Sequence, residues 1–130
     1  MSTLKVNTIQ NTSGGSSSTP EQMEQGRAKA WANIKTTGTN EIRDSFGFSS
    51  ITDVGSNTAR LDFSTSFSNT NYAVICGAIE DDSTNTSRTP RVANHTRKNL
   101  VTNQIFVSAC DMTDASQDIL HLMVACFGDM

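Results

Sequence analysis

Aromatic residues are scarce in this chain, with one Trp, one Tyr and six Phe making 6% of 130 residues. Hydrophobic residues of every kind reach only 35%, which is thin for the single core that one domain of this length builds. A thin core predicts that part of the stability comes from contacts between chains. Proline occurs twice, and no apolar run approaches the ~20 residues that cross a bilayer as a helix, so membrane insertion is not expected. The segment Met1–Gln10 holds no apolar core of the length a secretory signal uses. Charge of one sign is missing too. The formal net charge is −3 and Lys and Arg form no block, which argues against nucleic acid as a partner.

Motifs of catalysis are also absent. The chain has no GxSxG, no phosphate-binding glycine loop, no HExxH and no CxxC, so neither an enzyme nor a bound cofactor is expected. His95 and His121 are the only histidines, and His121 alternates with Met123 and Ala125 as a structural strand residue does. Glu80, Asp81 and Asp82 cluster, but their spacing matches no calcium loop, and a solvated loop is the reading taken. Paired carboxylates also serve glycan depolymerases, yet 130 residues leave no room for the large β-helical domain such enzymes use. Cys76, Cys110 and Cys126 each sit in an apolar run, as buried free thiols do in a reducing compartment. A disulfide between two of them needs neighbouring strands with aligned Cβ atoms.

What the chain has in abundance is Ser, Thr and Asn, about a third of it, residue types that favour turns and exposed β-faces over helix interiors. Leu4, Val6 and Ile9 mark a short extended segment ahead of the tract Asn11–Ser18. Gly14 and Gly15 with the serines read as a flexible linker. Residues 1–18 are therefore expected to be a docking arm that adds a strand to a neighbour, or else a frayed end, with one folded module over 19–130. Thr19 caps a helix with Pro20 at its first position and Gln22 at its third, and Gly26 ends it. Met23 is its one strong apolar anchor.

From Arg27 on, the pattern is β. Ala28, Ala30, Ala32 and Ile34 share one parity, opposite Arg27, Lys29, Trp31 and Asn33. That assigns Trp31 to a core or subunit-interface contact more readily than to ligand stacking. Turns are expected at Thr36–Asn40, Asp53–Asn57 and Asn69–Asn71. Strands are expected around Ile42–Ile51 and Leu61–Phe63, then at Tyr72–Ile79, Ile105–Cys110 and Ile119–Phe127. Tyr72–Ile79 is nearly continuous in apolar residues, which predicts burial on both faces. Seven or eight short strands spaced by turns indicate an all-β antiparallel sandwich or jelly-roll-like module with one short N-terminal helix. The polar stretches Glu80–Arg91, His95–Asn103 and Asp111–Gln117 are the expected recognition loops. Arg88, Arg91, His95, Arg97 and Lys98 are the candidate receptor contacts.

The text GRAKAW, a Gly-Thr turn, IRDSF, SSITD and a terminal apolar strand ending in Phe-Gly resembles the small C-terminal β-modules of tailed-bacteriophage (cyanophage-like) tail fibres and virion fibres. The resemblance spans most of Pro20–Met130 and is strongest over Gln25–Asp53. It implies a homotrimeric virion structural protein, a short tail fibre or fibre tip assembled in the host bacterial cytoplasm. Leu4, Val6 and Ile9 would attach it to a tail adaptor, nozzle or capsid protein. Met23 and Trp31 would lie in the oligomer interface, and the loops would meet a host surface glycan or lipopolysaccharide. A capsid decoration or head fibre is one alternative, and a soluble carbohydrate-binding module is another.

Overall fold

Small apolar side chains alternating with larger or polar ones from Ala30 onward set the architecture. The computed structural model describes residues 2–55, 58–79, 91–94, 99–110, 116–117 and 121–130. In chain order these form β1 (Ile9–Gln10), β2 (Ser17–Ser18), α1 (Pro20–Gly26), β3 (Ala30–Lys35), β4 (Glu41–Phe46), β5 (Phe48–Asp53), β6 (Thr58–Phe63), β7 (Ala73–Ile79), β8 (Arg91–Asn94), β9 (Gln104–Cys110), β10 (Ser116–Gln117) and β11 (His121–Phe127). One sheet has the order β4-β3-β11-β7, and the other runs β10-β9-β6-β5 with β8 also on β9. Every strand pair is antiparallel.

The two sheets turn their inner faces to one core, which makes the module a β-sandwich. Ala30, Ala32, Ile34, Leu122, Val124 and Cys126 from the first sheet join Ala59, Leu61, Phe63, Ile105, Val107 and Ala109 from the second. The parity read from β3 holds: Ala30, Ala32 and Ile34 are buried and Trp31 is not. β11, close to the end of the chain, lies between β3 and β7, so a late strand closes the first sheet. Aromatic side chains fill one end of the core. Phe67 stacks on Tyr72 with centroids 4.3 Å apart, and Phe63 meets Phe48 at 5.0 Å and Phe67 edge-on at 4.9 Å. The Tyr72 hydroxyl donates to the Val101 carbonyl at 2.9 Å, tying this end to the turn that leads into β9. Burial pushes the Tyr72 phenol up to about 12.

The chain changes sheet between β4 and β5 in a single residue, Gly47. Its φ is +76°, and a Cβ there would stand 2.5 Å from the Lys29 carbonyl oxygen, so only glycine fits. The turn expected at Thr36–Asn40 forms around Gly38, at positive φ; of the one expected at Asp53–Asn57, the described part turns at Gly55, also at positive φ, where the Thr58 amide donates back to the Gly55 carbonyl. At the latter the Asp53 carboxylate accepts from the Gly55 amide at 2.9 Å.

Two parts of the chain differ from expectation. The Gly/Ser tract closes a small hairpin of β1 on β2. Asn11 organises it: its side-chain oxygen accepts from the Gly15 amide at 2.9 Å and from Ser13 Oγ at 3.1 Å, an Asx arrangement that competes with disorder. β7 is not buried on both faces. It is an edge strand of its sheet, and Ile75 is 62% exposed. A near-continuous apolar run misleads here because Gly77 and Ala73, on the same parity as Ile75, are small residues that need no cover.

The helix begins as its residues dictate. Thr19 Oγ1 accepts from the Gln22 amide and Gln22 Oε1 accepts from the Thr19 amide at 2.9 Å, a complete capping box, with Pro20 at the first position. Seven residues cannot hold a helix alone, and none of its side chains is buried. Glu24 anchors it instead, pairing with Arg27 at 2.9 Å and with the buried Lys29 ammonium. Lys29 departs from the outward parity expected of it, because its side chain is covered where the chain enters β3 and its amide donates to Cys126 O at 2.8 Å.

Replacing Gly47 by Ala is expected to cost about 2–4 kcal/mol, combining left-handed backbone cost and overpacking. Replacing Gly55, which has open space around it, is expected to cost only about 1–2 kcal/mol. Urea denaturation of the two variants checks the difference. The hydrogen bond from Lys29 is the largest cause holding the Glu24 carboxyl below its ordinary 4.5. A depressed carboxyl contributes stability above 4.5 that is lost as pH falls through its lower folded value. The melting temperature of Glu24→Gln is therefore expected to fall below the parent near neutrality and to converge with it in acid.

Candidate interaction surface

The outward faces of the two sheets differ in kind. On the second sheet the outward residues Ser50, Thr52, Arg60 and Asp62 of β5 and β6 are polar and pair with one another, although the Arg60 Nε donor finds no hydrogen-bond acceptor among the described residues. Ser50 Oγ donates to Asp62 Oδ2 at 2.6 Å, Arg60 Nη2 reaches Thr52 Oγ1 and Asp62 Oδ2 at 3.2 Å, and Arg60 Nε lies 3.1 Å from Asp62 Oδ1. Ser50 pairs with Asp62, and Thr52 with Arg60, as direct cross-strand neighbours. Beyond them the face changes character: on β9 the partner of Arg60 is the half-buried Phe106.

On the first sheet the outward face carries an apolar row in register across all four strands. Phe46 is the partner of Trp31, Trp31 of Ala125, and Ala125 of Ile75. At the ordinary strand spacing the row is about 14 Å long. Phe46 is 57% exposed, Trp31 39% and Ile75 62%. Met123, one residue pair along opposite Gly77, is 37% exposed. Ile75, Gly77, Met123 and Ala125 floor a shallow depression with almost no polar atom. Cysteine lies beneath it. Cys76 faces Val124 and Cys126 faces Val74 across β7 and β11, one diagonal step apart, and both are free thiols. Burial raises them to about 11 and about 12, which keeps them protonated and unreactive.

The far end of the same face is polar. Lys35 is the partner of Glu41 and Asn33 of Asp44. Arg43, at the bulge between them, brings Nη1 to 3.0 Å from the His121 ring, with Asn33 also at 3.4 Å. His121 is thus a structural member of the face, as its alternation with Met123 implies.

The expected site residues fall into three groups. Leu4, Val6 and Ile9 are exposed at 83%, 38% and 49%, with Ile9 opposite Ser18 in the N-terminal hairpin. Met23 is exposed on the helix, and Trp31 sits in the middle of the apolar row. Arg91 begins β8, opposite Cys110, and is not part of the loop assigned to it. Arg88, His95, Arg97 and Lys98 lie outside the described residues, as do Glu80–Asp82. Sequence reasoning missed Phe46, Ile75 and Met123. The outward parity of Trp31 on β3 was the available signal, but the partners of β3 are not readable from its own text.

Among the described residues no cluster of three or more His, Cys, Asp or Glu gathers as metal ligands, and no helix is long and apolar enough to cross a membrane. Compared with family models, curated proteins and solved structures, the chain matches none.

Proposed function

We propose that this chain is a virion structural protein of a tailed bacteriophage, a homotrimeric short tail fibre or fibre tip that attaches through its N-terminal segment. One structural observation supports this above the others: a stub holding exposed Leu4, Val6 and Ile9 stands ahead of the sandwich without entering its core. Such a segment is suited to strand addition on a neighbouring protein. The GRAKAW-to-SSITD text adds the resemblance to phage fibre modules. In this reading Arg88, Arg91, His95, Arg97 and Lys98 meet an anionic host surface.

A second reading, a carbohydrate-binding module, draws on the Phe46–Trp31 pair, because adjacent exposed aromatic rings flanked by Asn33 and Asp44 suit the apolar face of a sugar ring. Polysaccharide that quenches or shifts Trp31 emission at millimolar concentration would favour it.

Immunoblotting of gradient-purified particles tests the first reading. The full chain is expected to copurify with virions. A variant with Leu4, Val6 and Ile9 each replaced by Ser is expected to stay folded by circular dichroism and to be depleted at least tenfold from particles. Absence of the parent chain from particles would contradict the virion role, and normal incorporation of the variant would contradict attachment through this segment.

A further inference from the structure

We infer that the outward face of the β4-β3-β11-β7 sheet is the surface through which copies of this chain associate, the Phe46–Trp31–Ala125–Ile75 row meeting the same face of a second copy. The inference deepens the homotrimer reading, with three such faces gathering round the axis. Its occupant is argued from three features of the molecule.

The first is contrast. Both sheets belong to one sandwich, yet the outward pairs of β5 and β6 are joined through polar side chains, whereas the outward face of the other sheet carries an apolar row in register over four strands. Solvent alone does not account for that difference, and contiguous exposed apolar area of this kind marks an interaction surface.

Charge selects the class of partner. Lys35 and Arg43 balance Glu41 and Asp44 on the polar end of the face, so its formal charge is zero. A strongly acidic or basic partner gains nothing there. A copy meets it without like-charge repulsion, and its own balanced set offers both signs to pair.

Chemistry then separates a protein face from a glycan. A sugar platform needs hydrogen-bonding groups beside its rings. Asn33 and Asp44 supply such groups only beside Phe46 and Trp31; toward β11 and β7 the row runs into Ala125 and Ile75, and onward to Met123 and Gly77, where the depression has almost no polar atoms. A protein interface of rigid aromatics and methionine ringed by polar residues has this composition.

Sedimentation velocity of the full chain at micromolar concentration tests the inference. The parent is expected to sediment as an assembly of 14.0 kDa chains, and Ile75→Lys as a monomer with at least a hundredfold weaker association. Val54→Lys, at an exposed apolar position beyond β5, should assemble like the parent. Ile75→Thr, which keeps a β-branched strand residue, should weaken association by about tenfold, and it carries the test if the lysine variant fails to fold. A parent that stays monomeric would overturn the inference. So would assembly that survives the Ile75 variants, or assembly lost in the Leu4, Val6 and Ile9 serine variant but kept in Ile75→Thr, which would assign the contact to the N-terminal segment. Dissociation by mannan or dextran at millimolar concentration would overturn it in favour of a glycan. An Ile75-dependent dimer would support the face and contradict the trimer. These outcomes are independent of whether the chain copurifies with virions.

Discussion

The structure depends on the alternation in β3. Ala30, Ala32 and Ile34 point inward with 0–2% exposure, and Trp31 and Asn33 point outward. Small inward residues set the depth of the core on this side, and Ala59 and Ala109 answer them from the other sheet. A core lined with alanine buries little apolar area per residue, at roughly 25 cal/mol per Å². The bulk it lacks is supplied by the aromatic group at one end, Phe48, Phe63, Phe67 and Tyr72. The largest aromatic side chain in the protein is spent on the outside.

That choice links core to surface. Because β3 is an inner strand of its sheet, the outward position of Trp31 is reinforced by Phe46 on one side and by Ala125 and Ile75 on the other. Register is rigid in such a sheet, since a one-residue slip exchanges the two faces. The apolar row is therefore as well determined as the core it backs onto. Gly47 serves the same geometry: it lets the chain leave β4 directly after Phe46 and enter the opposite sheet at Phe48, so Phe46 ends on the outer face of the first sheet and Phe48 in the core between the two.

Much of this was legible in the residues. The capping box at Thr19, the parity of β3, the glycine turns and the late strand carrying His121 all rest on local chemistry, and they form as read. What lay beyond reading depends on pairing between distant segments. The continuous apolar text Tyr72–Ile79 describes a buried strand and an edge strand equally well, and only its place beside β11 leaves Ile75 exposed. Lys29 reads as an outward strand residue because the helix end that pairs with it, at Glu24, precedes the strand and follows no β-period. The Asn11 side chain turns a compositional linker into a hairpin through hydrogen bonds that composition does not reveal. Phe46 and Met123 became candidates only once register set them beside Trp31.

The central claim, that the face around Trp31 is covered by another copy, has a direct reporter in the protein's single tryptophan. Acrylamide quenching of Trp31 emission should be measured from tens of micromolar down to nanomolar chain. The account predicts a blue-shifted, poorly quenched indole at high concentration that becomes red-shifted and several-fold more quenchable on dilution, as the half-exposed state of the single chain is reached. Emission and quenching that stay constant across the whole range, at the level of a half-exposed indole, would contradict it.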